Sequence, residues 1–282
     1  MLDLRISYIA IIVLLINRPY TYIKNMEKIS SFDNKLIKSI KKLCSDKKYR
    51  DTTNLFVAES YRVVKSLIDN NIQCRNLLFA KDTKYYQNID SYDKKGISTV
   101  EINSKIYESI STLSNSDGVI GIFVKPNNEF KLQPNKKYIV LDKIQNPGNL
   151  GTIIRTAVAF NIDGIVITND SVDLYQPTIV RATMGSLVEI PVKFSTSLED
   201  IIKECKNKKI TTYATCLNKN SKVLNEINFD DSSAIIFGNE GQGLNTKDID
   251  LCDESIYIPI SNKVDSINIS IAAGIIMHKI SK

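Results

Sequence analysis

The chain has no tryptophan, one histidine and only five cysteines in 282 residues. The lone histidine, His278, lies near the end of a helix-like tail with no second imidazole to work with, which argues against acid–base chemistry run through histidine. Cys44, Cys74, Cys205, Cys216 and Cys252 are odd in number and scattered, with no C-x-x-C pair. A disulfide framework needs denser, paired spacing and a zinc site needs clustered Cys or His ligands, so neither fits and no metal is expected. Reduced thiols in a cytoplasmic protein fit the pattern instead. A long apolar run is lacking too. Ile9–Ile16 is far short of the roughly 20 residues that span a bilayer, and Asn17-Arg18-Pro19-Tyr20 after it offers no small-residue cleavage site. No membrane association is expected. Residues 1–25 read as an extension, disordered or lying ahead of a true start at Met26, where Met26-Glu27-Lys28-Ile29-Ser30 reads as the opening of an amphipathic, Lys-rich helix.

Strong charge of either sign is also missing: 37 Lys+Arg against 31 Asp+Glu leaves +6. That balance is compatible with a polyanionic partner without demanding one. The apolar fraction of 43% is that of an ordinary globular chain, and the length suggests two domains.

Short strands alternate with helices throughout. In residues 26–125 a helix with Leu36, Ile37, Ile40 and Leu43 on one face and lysines on the other precedes strands at Asn54–Glu59, Leu77–Ala80, Ser98–Ile102 and Gly118–Val124, with helices between. This is a small α/β domain. Residues 126–136, polar and bracketed by Pro126 and Pro134, read as a linker. In residues 137–282 the alternation has stronger strands, at Lys137–Leu141, Gly164–Ile167, Val188–Phe194, Thr211–Thr215, Ser233–Phe237 and Glu254–Ile258. That is the signature of a parallel α/β sheet, closed by a helix from Asn268 to Ile280.

Ligands of parallel sheets sit on loops beyond the carboxyl ends of strands, and three such loops have unusual compositions. After Leu141 comes Asp142-Lys143-Ile144-Gln145-Asn146-Pro147-Gly148-Asn149-Leu150-Gly151-Thr152-Ile153-Ile154-Arg155. A helix N-terminus at Gly151 would present free N–H groups to an anion, with Arg155 one turn on and facing the same rim as Asn149. After Phe237 comes Gly238-Asn239-Glu240-Gly241-Gln242-Gly243, whose glycines allow close approach of backbone to ligand. It matches neither G-x-G-x-x-G nor a P-loop. The third is Ile258-Pro259-Ile260 followed by Ser266-Ile267-Asn268-Ile269-Ser270, where Ser266 suits a helix N-cap. Each loop has a plain structural explanation when taken alone, as a strand–helix turn, a glycine turn or a cap.

Taken together and in this order, the three segments resemble the motifs of the SpoU (TrmH-like) branch of the SPOUT RNA methyltransferases. Asp173–Ser186 is similar to a further family segment, with Thr178 where a Lys is expected. Lys48-Tyr49-Arg50 and Phe56–Val63 resemble the family's N-terminal substrate-binding domain of L30e-like fold, with Ser60 in place of a usual Gly. The resemblance implies a fold class of α/β type: a C-terminal, trefoil-knotted, parallel-sheet SPOUT methyltransferase domain behind a small L30e-like domain. It implies S-adenosyl-L-methionine as cofactor, held by Gly238, Ile258 and Ile267. It implies methyl transfer to a ribose 2′-hydroxyl by Arg155 with Asn149, Glu240, Ser266 and Asn268. It further implies a homodimer and an RNA substrate, ribosomal RNA ahead of transfer RNA. Because a guanidinium stays protonated to about pH 12, Arg155 suits an anchoring and charge-stabilising role better than that of a base. A non-catalytic RNA-binding module is the competing expectation.

Overall fold

A computed structural model describes residues 26–112, 117–127, 129–218 and 220–281. The expectations for residues 1–25 lie outside the described residues, except that Met26 opens no helix. Glu27–Ile29 is a short strand, β1, that buries Ile29.

Helices α1 (Lys35–Ser45) and α2 (Lys47–Thr53) follow, then β2 (Leu55–Glu59), α3 (Tyr61–Asp69), β3 (Cys74–Ala80), α4 (Ile89–Lys94), β4 (Thr99–Ile102), α5 (Ser104–Ile110) and β5 (Val119–Val124). The five strands form one mixed sheet in the order β1-β4-β3-β5-β2, in which β5 runs antiparallel to both β2 and β3. Helix α1 exists because Ile37, Ile40 and Leu43 recur at helical spacing and are fully buried, while Asn34 caps its first turn by accepting from Leu36 N. Ser60, between β2 and α3, sits at φ 82°, ψ 138°, a backbone region where a side chain is disfavoured. A glycine there would carry no such strain.

The second sheet has seven strands, every pair parallel, in the order β10-β12-β9-β11-β6-β7-β8. Its elements are β6 (Lys137–Leu141), α6 (Pro147–Ala159), β7 (Gly164–Thr168), α7 (Pro177–Ala182), β8 (Val192–Ser195), α8 (Leu198–Asn207), β9 (Thr211–Thr215), β10 (Lys222–Val223), β11 (Ser233–Phe237), α9 (Thr246–Leu251), β12 (Glu254–Tyr257) and α10 (Ile269–Ile280). The central strands β6, β7 and β11 are buried on both faces, apart from the first residue of β6, and so read as continuous apolar runs.

The two sheets share a core. Phe56 of β2 packs on Tyr175 with ring centroids 5.1 Å apart, within one apolar cluster that also holds Val63, Ile139 and Ile179. Above that contact lies a buried ion pair. Arg50 of α2 places Nε and Nη2 each 2.7 Å from Asp173 Oδ2, while its Nη1 donates to Leu43 O at 2.6 Å. Nearby, Gly185 at φ 96° lets the chain pass within 2.6 Å of Ser66 Cβ, measured from the position a Cβ would take.

Candidate active site

The first loop differs from expectation. Helix α6 starts at Pro147, four residues before Gly151, and its cap is Asn146, whose Oδ1 accepts from Gly148 N (2.8 Å) and Asn149 N (3.2 Å). Pro147 has no N–H to offer. Gly151 is therefore no anion site. It is a contact point between helices, where a Cβ would lie 2.3 Å from Ala182 Cβ on α7. Arg155 falls in the third turn of α6, and six residues at 100° each put it roughly 120° around the helix from Asn149. Accordingly Asn149 is buried at 9% exposure, whereas Arg155 is exposed and makes no hydrogen bond or ion pair among the described residues.

The N–H groups ahead of α6 are taken by the second loop. Glu240 accepts from Gln145 N and Asn146 N, both at 3.0 Å, and from Asn149 Nδ2 at 3.2 Å. Burial by itself would raise this carboxyl's pKa, but the main-chain donors of Gln145 and Asn146, with the Asn149 amide, hold it below the usual range. The carboxylate thus occupies the favourable end of the helix dipole, so the anion that the sequence places at a helix N-terminus is the protein's own. Asn239 adds a second stitch, donating from Nδ2 to Lys143 O at 2.9 Å while its Oδ1 accepts from Gly241 N and Gln242 N. Gly238 is required where the loop folds back on itself, since a Cβ there would meet the Gly243 carbonyl at 2.4–2.5 Å.

The third loop joins the same network. Asn268, not Ser266, caps α10: its Oδ1 accepts from Ser270 N (2.8 Å) and Ser270 Oγ (2.6 Å). Its Nδ2 donates to Asn149 Oδ1 at 3.0 Å. Because an ionised carboxylate only accepts, Glu240 fixes the Asn149 amide with its NH2 towards the acid, and Asn149 in turn fixes Asn268. One relay, Glu240–Asn149–Asn268–Ser270, ties all three loops together. Ser266 is exposed, two residues before the cap. Ile258 and Ile267 are half-buried at the two ends of the third loop, and Ile258 packs against the apolar core.

Sequence reasoning gave no role to Gln145 and Asn146, whose contribution is through backbone N–H groups, nor to Asp142. Asp142, 4% exposed at the end of β6, has its pKa raised by burial against the opposing hydrogen bond from Thr168 and the charge of Lys143. The described residues contain no cluster of three or more metal-ligating side chains, and all five cysteines are free. Among them no helix is long and apolar enough to cross a membrane.

A parallel sheet whose carboxyl-end loops are locked by a carboxylate–amide relay, with an exposed, unpaired arginine further along α6, has the ligand end of an α/β enzyme. Comparison with known proteins places it further. Residues 136–278 match the model of the SpoU rRNA Methylase family and residues 34–121 that of the MRM3-like substrate binding domain. The chain belongs to the SpoU rRNA methylase family and is an RNA methyltransferase of that family. It is 28% identical over 253 residues, 90% of this chain and 98% of the other, to the 23S rRNA (guanosine(2553)-2′-O)-methyltransferase RlmP of Bacillus subtilis. It resembles the crystal structure of the AdoMet-bound rRNA methyltransferase from Sinorhizobium meliloti, with a TM-score of 0.81 and 30% identity over 90% of this chain and 97% of that one. It shares its fold with the SpoU methyltransferase AviRb from Streptomyces viridochromogenes, with a TM-score of 0.77 and 19% identity over 88% and 96% of the two chains.

Proposed function

We propose that the protein transfers a methyl group from S-adenosyl-L-methionine to a ribose 2′-hydroxyl of ribosomal RNA. The observation that carries this reading is the Glu240–Asn149–Asn268 relay, which ties three carboxyl-end loops to one another, with the exposed, unpaired Arg155 further along α6. The main chain of Gly238–Leu244 with Ile258 and Ile267 would hold the cofactor, which supplies an electrophilic methyl. Arg155 would bind the phosphate next to the target ribose and stabilise the oxyanion, the hydroxyl proton passing through that phosphate to solvent while the methyl moves from sulfur to oxygen and leaves S-adenosylhomocysteine. Glu240, with its lowered pKa and three donors, is a weak base. Its role is to hold Asn149 and the loop at 143–146 in register. Ser266, exposed on the third loop, is free to meet the substrate.

The functional unit in this proposal is a cytoplasmic homodimer with a trefoil-knotted catalytic domain at 137–282 and an L30e-like RNA-binding domain at 26–125. Support for the dimer comes from exposed apolar side chains gathered on the third loop and α10: Ile260, Val264, Ile271 and Ile275, exposed by 40–56%. A second copy would cover them and complete the site beside Arg155. Nucleoside analysis of ribosomal and transfer RNA after incubation with labelled S-adenosylmethionine tests the proposal. Label in a 2′-O-methylnucleoside of ribosomal RNA is expected, and label confined to transfer RNA or to a base would overturn it.

A further inference from the structure

Between the two sheets lies a cleft of about 920 Å3 that the proposed chemistry does not use. Asn54 and Lys125 line it from the first half of the chain, Lys131 from the connecting segment, and Thr168, Asn169 and Phe194 from the carboxyl ends of β7 and β8. We infer that this cleft is a nucleobase subsite, taking one unpaired RNA base that flanks the methylated nucleotide and stacking it on Phe194. The inference deepens the proposed function and rests on its RNA substrate.

Three observations support it. First, the lining is close to neutral although it contains many charged groups. Asp51 is paired with Lys47 and Lys125, Asp173 with Arg50, and Lys193 with Glu204. Such a lining disfavours a bare phosphate but suits a neutral, planar group with hydrogen-bonding edges, which the side-chain amides of Asn54 and Asn169 can meet. Second, Phe194 stands 45% exposed on edge strand β8. A solvated aromatic ring beside amide groups is how proteins hold splayed-out RNA bases, by stacking worth a large part of the affinity. Third, the cleft wall is bonded directly to the loop before α6. Thr168 Oγ1 accepts from Lys143 N, Ser171 Oγ accepts from Ile144 N, and Gln145 donates to Asp170 O. A base held here belongs to a nucleotide close to the target ribose.

Charge placement gives the strand its direction of approach. Residues 26–125 carry 17 Lys+Arg against 12 Asp+Glu, whereas residues 126–282 carry 17 against 18. The excess is concentrated in Lys35, Lys38, Lys41, Lys42, Lys47 and Lys48, all exposed on α1 and α2, and Lys47 also lines the cleft. Phosphates therefore follow that helical face, one base drops into the cleft, and the next ribose reaches the relay.

The test uses the full chain and a short single-stranded RNA with one 2-aminopurine, whose fluorescence is quenched on stacking. Phe194→Ala should abolish the quenching and weaken binding by about 5- to 150-fold, while Phe194→Tyr retains both. Arg155→Ala should keep the quenching while losing methyl transfer. Quenching and affinity unchanged in Phe194→Ala would overturn the inference. So would an altered sedimentation mass of that variant with quenching intact, which would make Phe194 a contact between copies. Phe194-dependent quenching by a wild-type protein that transfers no methyl group would sink the proposed reaction and leave the subsite standing.

Discussion

Removing Arg50 should show how firmly the substrate-binding half is fixed to the catalytic half. Its guanidinium is 4% exposed and Asp173 is 10% exposed, with two nitrogens on one carboxylate oxygen at 2.7 Å. Breaking such a pair strands a buried charge and costs about 3–5 kcal/mol. In Arg50→Ala the Asp173 carboxylate keeps one donor, Tyr175 N at 3.1 Å, and Leu43 O loses its own. The lower end, about 3 kcal/mol, is therefore expected. Asp173→Leu alone leaves the buried arginine without a counter-ion and should cost a similar amount. The double variant Arg50→Met with Asp173→Leu leaves no buried charge and should lose much less than the two single losses added together. Urea unfolding of the wild type, both single variants and the double variant measures this directly. A loss below about 1 kcal/mol for Arg50→Ala, or strict additivity in the double variant, would refute the claim that the pair is buried and coupled.

Other expectations are more local. Ser60→Gly relieves a side chain held at φ 82° and should stabilise the protein by about 1 kcal/mol in the same unfolding assay. Gly238→Ala drives a methyl into the Gly243 carbonyl, so calorimetry should show S-adenosylmethionine binding weakened at least tenfold, on the order of 1.4 kcal/mol, with circular dichroism unchanged. Since the pKa of Glu240 is lowered by folding, its stabilisation is present above the unfolded carboxyl value of about 4.3 and is lost as pH falls through the folded value. Glu240→Gln should flatten that acid limb of the stability profile, and an unchanged limb would place the lowered pKa elsewhere. Asn268→Ala removes both the α10 cap and the bond to Asn149, and should cost about 1–2 kcal/mol by urea unfolding.

Several elements were legible residue by residue. Lys137–Leu141, Thr211–Thr215 and Ser233–Phe237 are strands over the very spans read from their composition. What escaped detection had no periodic signal. Strand β1 has three residues and forms only because β4 offers it an edge. Helix α2, with the sequence KKYRDTT, has no apolar stripe, and is held by the Asp46 cap and by Arg50 reaching across to Asp173. The site was legible as three segments but not as a network. Asn149 stands out in the sequence, as do Glu240 and Asn268, to both of which it is hydrogen-bonded, yet the partners that set their roles include main-chain N–H groups of Gln145 and Asn146, which any residue but proline could supply. Ser and Asn cap helices equally well, so composition does not separate Ser266 from Asn268, which caps α10 and also bonds Asn149.

The most direct test of the account is a pair of measurements on Arg155→Ala: S-adenosylmethionine affinity by calorimetry, and 2′-O-methylation of ribosomal RNA by nucleoside mass spectrometry. Cofactor affinity within about twofold of wild type is expected, with methyl transfer reduced by two or more orders of magnitude, the range seen for removal of one oxyanion-stabilising donor. Methyl transfer retained at the wild-type rate, or cofactor binding lost together with it, would contradict the role given to Arg155 and with it the reading of the site.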